Sequence, residues 1–64
     1  MKFLRTVLYT NEKSIHTAEE FLLEVNRERS EEWADYTMED AKEYPEEIII
    51  EWMTNDYEEW SVLP

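Results

Sequence analysis

The chain has no cysteine, no glycine and a single histidine among its 64 residues. Without cysteine there is neither a disulfide framework nor a thiolate zinc site. His16 alone makes no imidazole cluster, so no metal and no cofactor is expected. Without glycine there is no phosphate-cradling loop, and no calcium loop of the EF-hand kind, whose sharp turn needs one. Positions at positive φ must fall to asparagine or aspartate, and Asn11, Asn26 and Asn55 are the candidates. No apolar run approaches the roughly 20 residues of a membrane span. Basic groups are scarce: six Lys and Arg stand against seventeen acids, a formal net charge of −11. Such a chain is repelled by nucleic acid and by anionic membranes, and it meets basic surfaces faster.

What is present is apolar and aromatic. Hydrophobic residues make up 42% and aromatics 14% of the chain, enough for a core and more than a disordered acidic tail would carry. A single domain of this length lies near the lower limit for unaided folding. The core must supply the stability, helped by a partner or by self-association, and a monomer and a dimer are both open. Charge is distributed unevenly. Residues 1–16 hold Lys2, Arg5 and Lys13 with only Glu12, whereas residues 17–64 hold the other three basic groups and sixteen acids, a net of −13. The opening Met1-Lys-Phe-Leu-Arg5 begins like a signal peptide but lacks its apolar stretch and cleavage site, so a cytoplasmic protein is expected.

Residues 2–10 read as a strand, with Phe3, Val7 and Tyr9 on one face and Leu4 and Leu8 on the other, and residues 11–14 as its turn. Thr17-Ala18-Glu19-Glu20 fits a capping box. Ala18, Phe21, Leu22 and Val25 then recur on one face of a helix expected to run from 17 to about 33, unless Asn26 or Ser30 ends it sooner. Thr37 caps a short helix near 38–44 that Pro45 stops. The run Ile48-Ile49-Ile50 and the later aromatics favour two strands, about 47–53 and 57–63, joined in a hairpin at residues 54–57. The alternative is a helix over residues 46–60, for which Pro45-Glu46-Glu47 is a good first turn. Either way the class is α+β, a single domain over residues 1–64: an N-terminal strand, one main helix, a short second helix and the C-terminal segment.

Catalysis lacks its parts. The acids come in doublets (Glu19-Glu20, Glu31-Glu32, Glu46-Glu47, Glu58-Glu59) that suit a solvated face rather than two carboxyls in contrasting environments. Ser14 and His16 are close in sequence, but no glycine-built oxyanion turn accompanies them. A non-enzymatic protein is expected. The distinctive stretch is Glu43 to Trp60, where carboxylates interleave with large apolar side chains and no basic group occurs. We take Glu39, Asp40, Glu43, Glu46, Glu47, Glu51, Trp52, Asp56, Tyr57, Glu58, Glu59 and Trp60 as the candidate partner-binding set, with Trp52, Tyr57 or Trp60 as apolar anchors.

In size, acid load and mixing of acids with aromatics, the whole chain resembles the small acidic inhibitors that bacteriophages and mobile elements make against host nucleic-acid-binding proteins. Those families include DNA mimics and anti-restriction and anti-CRISPR proteins. Residues 47–62, Glu-Ile-Ile-Ile-Glu-Trp-Met-Thr-Asn-Asp-Tyr-Glu-Glu-Trp-Ser-Val, also look like the acidic C-terminal helix of the DinI-type regulators of RecA. The likeness implies an inhibitor in the host cytoplasm that occupies the basic DNA- or RNA-binding surface of a host protein. A small acidic adaptor, or an antitoxin-like partner unrelated to nucleic acid, is the alternative.

Overall fold

Strand β1 (Lys2–Val7) is the middle of the molecule. In the computed structural model, which describes residues 1–29 and 35–64, β1 pairs antiparallel with β2 (Glu12–Thr17) on one side. On the other side it pairs antiparallel with β3 (Glu58–Leu63), giving the order β2-β1-β3. The turn over residues 8–11 closes with the Asn11 amide donating to the Val7 carbonyl at 2.7 Å. Asn11 has φ 60°, and among the described residues no other non-glycine position is positive. Asparagine takes that conformation at less cost than residues without a short amide side chain. Asn26 and Asn55 have other uses, described below.

The expected turn at 11–14 is therefore wrong beyond Asn11, since Glu12 opens a strand. Glu-Lys-Ser-Ile-His-Thr has one aliphatic residue and shows no alternation. It is an edge strand whose side chains are nearly all exposed, with pairing supplied by β1.

Helix α1 (Ala18–Glu28) begins as expected. Thr17 Oγ1 accepts from the Glu20 amide at 3.2 Å, and Glu20 Oε1 accepts from the Thr17 amide at 2.9 Å. Ala18, Phe21 and Val25 are buried and Leu22 packs beside them, one face of three turns. The helix stops at Glu28 with Arg29 as C-cap, short of residue 33. Its end is dictated by the returning chain. Asn26 Oδ1 accepts from the Tyr36 amide at 2.9 Å and Asn26 Nδ2 donates to the Tyr36 carbonyl at 3.1 Å, so one side chain ties the next segment back to α1. Trp33 lies outside the described residues.

Helix α2 (Met38–Glu43) carries a second capping box, Thr37 with Asp40. Pro45 excludes α geometry for Tyr44, which ends α2 and caps the N-terminus of α3 (Pro45–Trp52). The expected first strand of the C-terminal hairpin, 47–53, is thus a helix, and 54–57 is the connection from α3 to β3 rather than a hairpin turn. Burial shows why. Ile48 and Ile49 are 1% and 8% exposed while Ile50 is 72% exposed, so the apolar positions repeat as Ile48, Ile49, Trp52 and Met53, a helical face. A strand would have placed Ile48 and Ile50 together. The expected second strand, 57–63, is present as β3. The DinI-like expectation of a helix through residue 60 ends at Trp52 for the same reason: β3 takes the free edge of β1.

Helices α1 and α3 pack on the sheet and α2 packs against both of them, and the molecule is only 17 Å deep along its shortest axis. Phe3 stacks on Phe21 (centroids 4.0 Å, planes 4° apart), and Trp60 meets Phe21 edge-on at 5.5 Å. Ile48, Ile49, Met53 and Val25 complete the core.

Asn26→Ala is expected to lower stability by about 1–3 kcal/mol, because both backbone groups of half-buried Tyr36 lose their partner. Chemical denaturation would measure it. A change below about 0.5 kcal/mol, the range of ordinary surface substitutions, would show that the tether is dispensable.

Candidate acidic interface

The α2–α3 elbow concentrates the free carboxylates. Glu39 and Glu43 project from α2 and Glu46, Glu47 and Glu51 from α3, all exposed. Glu43, Tyr44, Pro45, Glu46 and Glu47 line one notch of about 240 Å³. The placement follows from the sequence: Pro45 forces the break, and acids in the first turn of α3 favour the positive end of its dipole. No ion pair among the described residues involves any of these five. Lys42 is the one basic residue on either helix.

Other members of the expected set are engaged inside the molecule. Asp40 is half-buried: Oδ2 accepts from the Thr37 amide at 2.8 Å and Oδ1 accepts from the Tyr44 hydroxyl at 2.6 Å. Glu58 receives Arg5 through both Nε and a terminal nitrogen, at 2.7 and 2.6 Å, and its other oxygen accepts from the Trp60 indole at 3.0 Å. Trp60 is 4% exposed and belongs to the core, so it is no surface anchor. Trp52 is half-buried, donates to the Tyr36 hydroxyl at 3.0 Å, and lies beneath the Arg29 guanidinium at 5.3 Å. Both indoles are structural because strand periodicity turns Trp60 toward Phe21 and helix periodicity turns Trp52 toward Tyr36.

Asp56, Tyr57 and Glu59 lie apart from the elbow, beyond the far end of α3. An eight-residue helix spans about 12 Å. Asn55 Oδ1 accepts from the Tyr57 and Glu58 amides at 2.7 and 3.0 Å, which turns the chain into β3. The Tyr57 carbonyl accepts from the Leu8 amide at 3.0 Å, so exposed Tyr57 stands beside exposed Leu8 and Tyr9 at the tip of the sheet. The sequence pattern makes Leu8 and Tyr9 strand residues, and only this long-range pairing reveals Leu8 as a neighbour of Tyr57. Glu59 is opposite Thr6, on the sheet face away from the helices. The twelve residues therefore do not form one surface. The elbow acids do.

His16 lies between Ser14 (Oγ to Nε2, 2.8 Å) and Glu20 (Nδ1 to Oε1, 3.6 Å) and tilts against Trp60 at 5.2 Å. The order resembles a proton relay. Glu20 Oε1, however, is already the acceptor that caps α1, and Ser14 is exposed on an edge strand. Among the described residues no cluster of acids and histidine suits a metal ion, and no helix is long and apolar enough to cross a membrane.

The Asp40–Tyr44 bond carries a pH dependence. The Tyr44 hydroxyl, then the Thr37 amide, hold Asp40 below its ordinary value of 3.8. The same hydrogen bond to Asp40, followed by burial and the carboxylate's charge, pushes Tyr44 from 10.0 up to about 12. The Asp40 contribution to stability is thus fully present above pH 3.8 and lost as pH falls through its lowered value. The Tyr44 contribution is present below pH 10.0 and lost as pH rises to about 12. In Tyr44→Phe, Asp40 should titrate closer to 3.8 by carboxyl NMR, and the tyrosinate absorbance step near pH 12 should vanish. An unchanged Asp40 titration would show that Thr37 alone sets it.

Compared with protein-family models, curated protein sequences and solved structures, the chain matches none.

Proposed function

We propose that this protein is a non-enzymatic inhibitor that binds the basic nucleic-acid-binding surface of a host protein through the acidic elbow of α2 and α3. One observation carries the reading. Five exposed carboxylates project from two short adjoining helices, three of them around one notch, and none has a cationic partner among the described residues. Such a cluster costs stability by like-charge repulsion and does nothing for the core. A basic groove that normally holds phosphates would relieve that repulsion on binding. Charge would govern the encounter rate, and the apolar flank at Ile50 would lengthen the bound state. The resemblance to acidic phage inhibitors points the same way.

The test is capture from nuclease-treated bacterial lysate on immobilised protein, followed by elution with excess duplex DNA. A nucleic-acid-binding protein that DNA displaces supports the proposal. A captured partner with no nucleic-acid site, indifferent to DNA, would overturn it in favour of an acidic adaptor.

A further inference from the structure

The sheet has a second face. Register places Leu4 directly opposite Ile15 on β2 and Ser61 on β3, with Leu63 one step away across from Lys2. These side chains alternate with Phe3 and Trp60, which face the helices, so they point to the other side. Ile15 is 63% exposed, although it is aliphatic and lies mid-strand, Ser61 is exposed, and Leu4 and Leu63 are half-buried.

The charges on this face are few and ordered. Thr6 pairs with Lys13 on one side and Glu59 on the other, so Lys13-Thr6-Glu59 forms a row across the sheet. Lys2 is the remaining charged group. Two cations and one anion leave this face, among the described residues, without the excess of acids that marks the chain as a whole.

We infer that this face is a self-association surface, on which two copies pack sheet to sheet about a two-fold axis parallel to β1. The axis follows from the row. Rotation about β1 exchanges the positions of β2 and β3, so Lys13 comes to lie over the partner's Glu59, and Glu59 over the partner's Lys13. The same operation sets Leu4 on the partner's Leu4 and Ile15 over the partner's Ser61. The two Lys2 residues meet at the end of the sheet, where long side chains can splay into water. A two-fold axis perpendicular to the strands pairs the two Lys13 rows less favourably, because it sets Lys13 on the same edge as the partner's Lys13. Both helix layers face outward in the dimer, and their acids are as far apart as the assembly allows. The inference does not depend on the proposed function, which needs only the elbow.

Three strands of six residues give a face of roughly 14 by 20 Å. That is below the ~800 Å² per partner of a standard interface, so the dimer exchanges with monomer. Sedimentation equilibrium in about 0.15 M salt, where repulsion between the two copies is screened beyond ~8 Å, should show the mass rise from 7.9 kDa toward twice that value. The rise should fall between about 10 μM and 1 mM.

Ile15→Glu should stay monomeric, and the exposure of Ile15 keeps its fold intact, which circular dichroism verifies. Lys13→Glu and Glu59→Lys should each weaken self-association, yet associate with one another when mixed, because each then supplies what the other lacks. A wild-type chain that remains at 7.9 kDa up to about 1 mM would overturn the inference. So would association that survives Ile15→Glu, or a mixture of the two charge variants that stays monomeric.

Discussion

Phe21→Ala is expected to leave the chain unfolded at 25 °C. The ring is fully buried, lies flat against Phe3 and meets the edge of Trp60, so it joins α1 to both β1 and β3. Removing a buried phenylalanine costs about 3–5 kcal/mol, and a core of this size rarely supplies more than about 3–5 kcal/mol in all. The chain has no cysteine, so no disulfide compensates. Far-UV circular dichroism and tryptophan fluorescence would read the loss directly. Leu23→Ala, on the same helix but 74% exposed, should stay within about 0.5 kcal/mol of the parent. A cooperative melt for Phe21→Ala within a few degrees of the parent would mean that the core is held elsewhere.

The second large effect concerns the elbow. Each glutamate-to-lysine reversal adds two charges, so reversing Glu43, Glu46 and Glu47 moves the net charge from −11 to −5. The on-rate toward the basic partner obtained by lysate capture should fall by about 10- to 1,000-fold, the range attributed to electrostatic steering. The fold should persist, since all three side chains are exposed and none makes a hydrogen bond or ion pair among the described residues. Reversing Glu12, Glu19 and Glu28 changes the net charge equally but lies elsewhere on the surface. It should slow association much less. Equal losses in the two variants would mean that total charge, not the elbow, draws the partner.

Much of the fold is legible because it rests on local chemistry. Thr17 with Glu20, and Thr37 with Asp40, mark helix starts whose reciprocal hydrogen bonds need only four consecutive residues. Pro45 marks a break and a start for the same reason. What was not legible depends on partners distant in sequence. Glu12–Thr17 carries no strand pattern of its own and is a strand because β1 offers it an edge. Ile48-Ile49-Ile50 has β-branched preference for strand, but burying Ile48, Ile49 and Met53 together against Phe21 requires a helix, and packing outweighs propensity. The candidate site divides along the same line. Spacing along α2 and α3 tells which acids are neighbours. It cannot tell that Asp40 is occupied by Tyr44, that Glu58 is occupied by Arg5, or that Trp60 lies under α1.

The pairing of Lys2 with Leu63 has a consequence for how the molecule comes into being. The central strand precedes both of its neighbours, and β3 follows it only after β2 and all three helices. Until residue 63 has cleared the ribosome, β1 has one open edge and Phe21 lacks the indole of Trp60. The β1–β2 hairpin and α1 can form early from short-range contacts, but closing the sheet must bring together residues some sixty positions apart, a step slowed by the entropy of so long a loop. During synthesis the nascent chain therefore presents the unpaired edge of β1 until β3 has emerged.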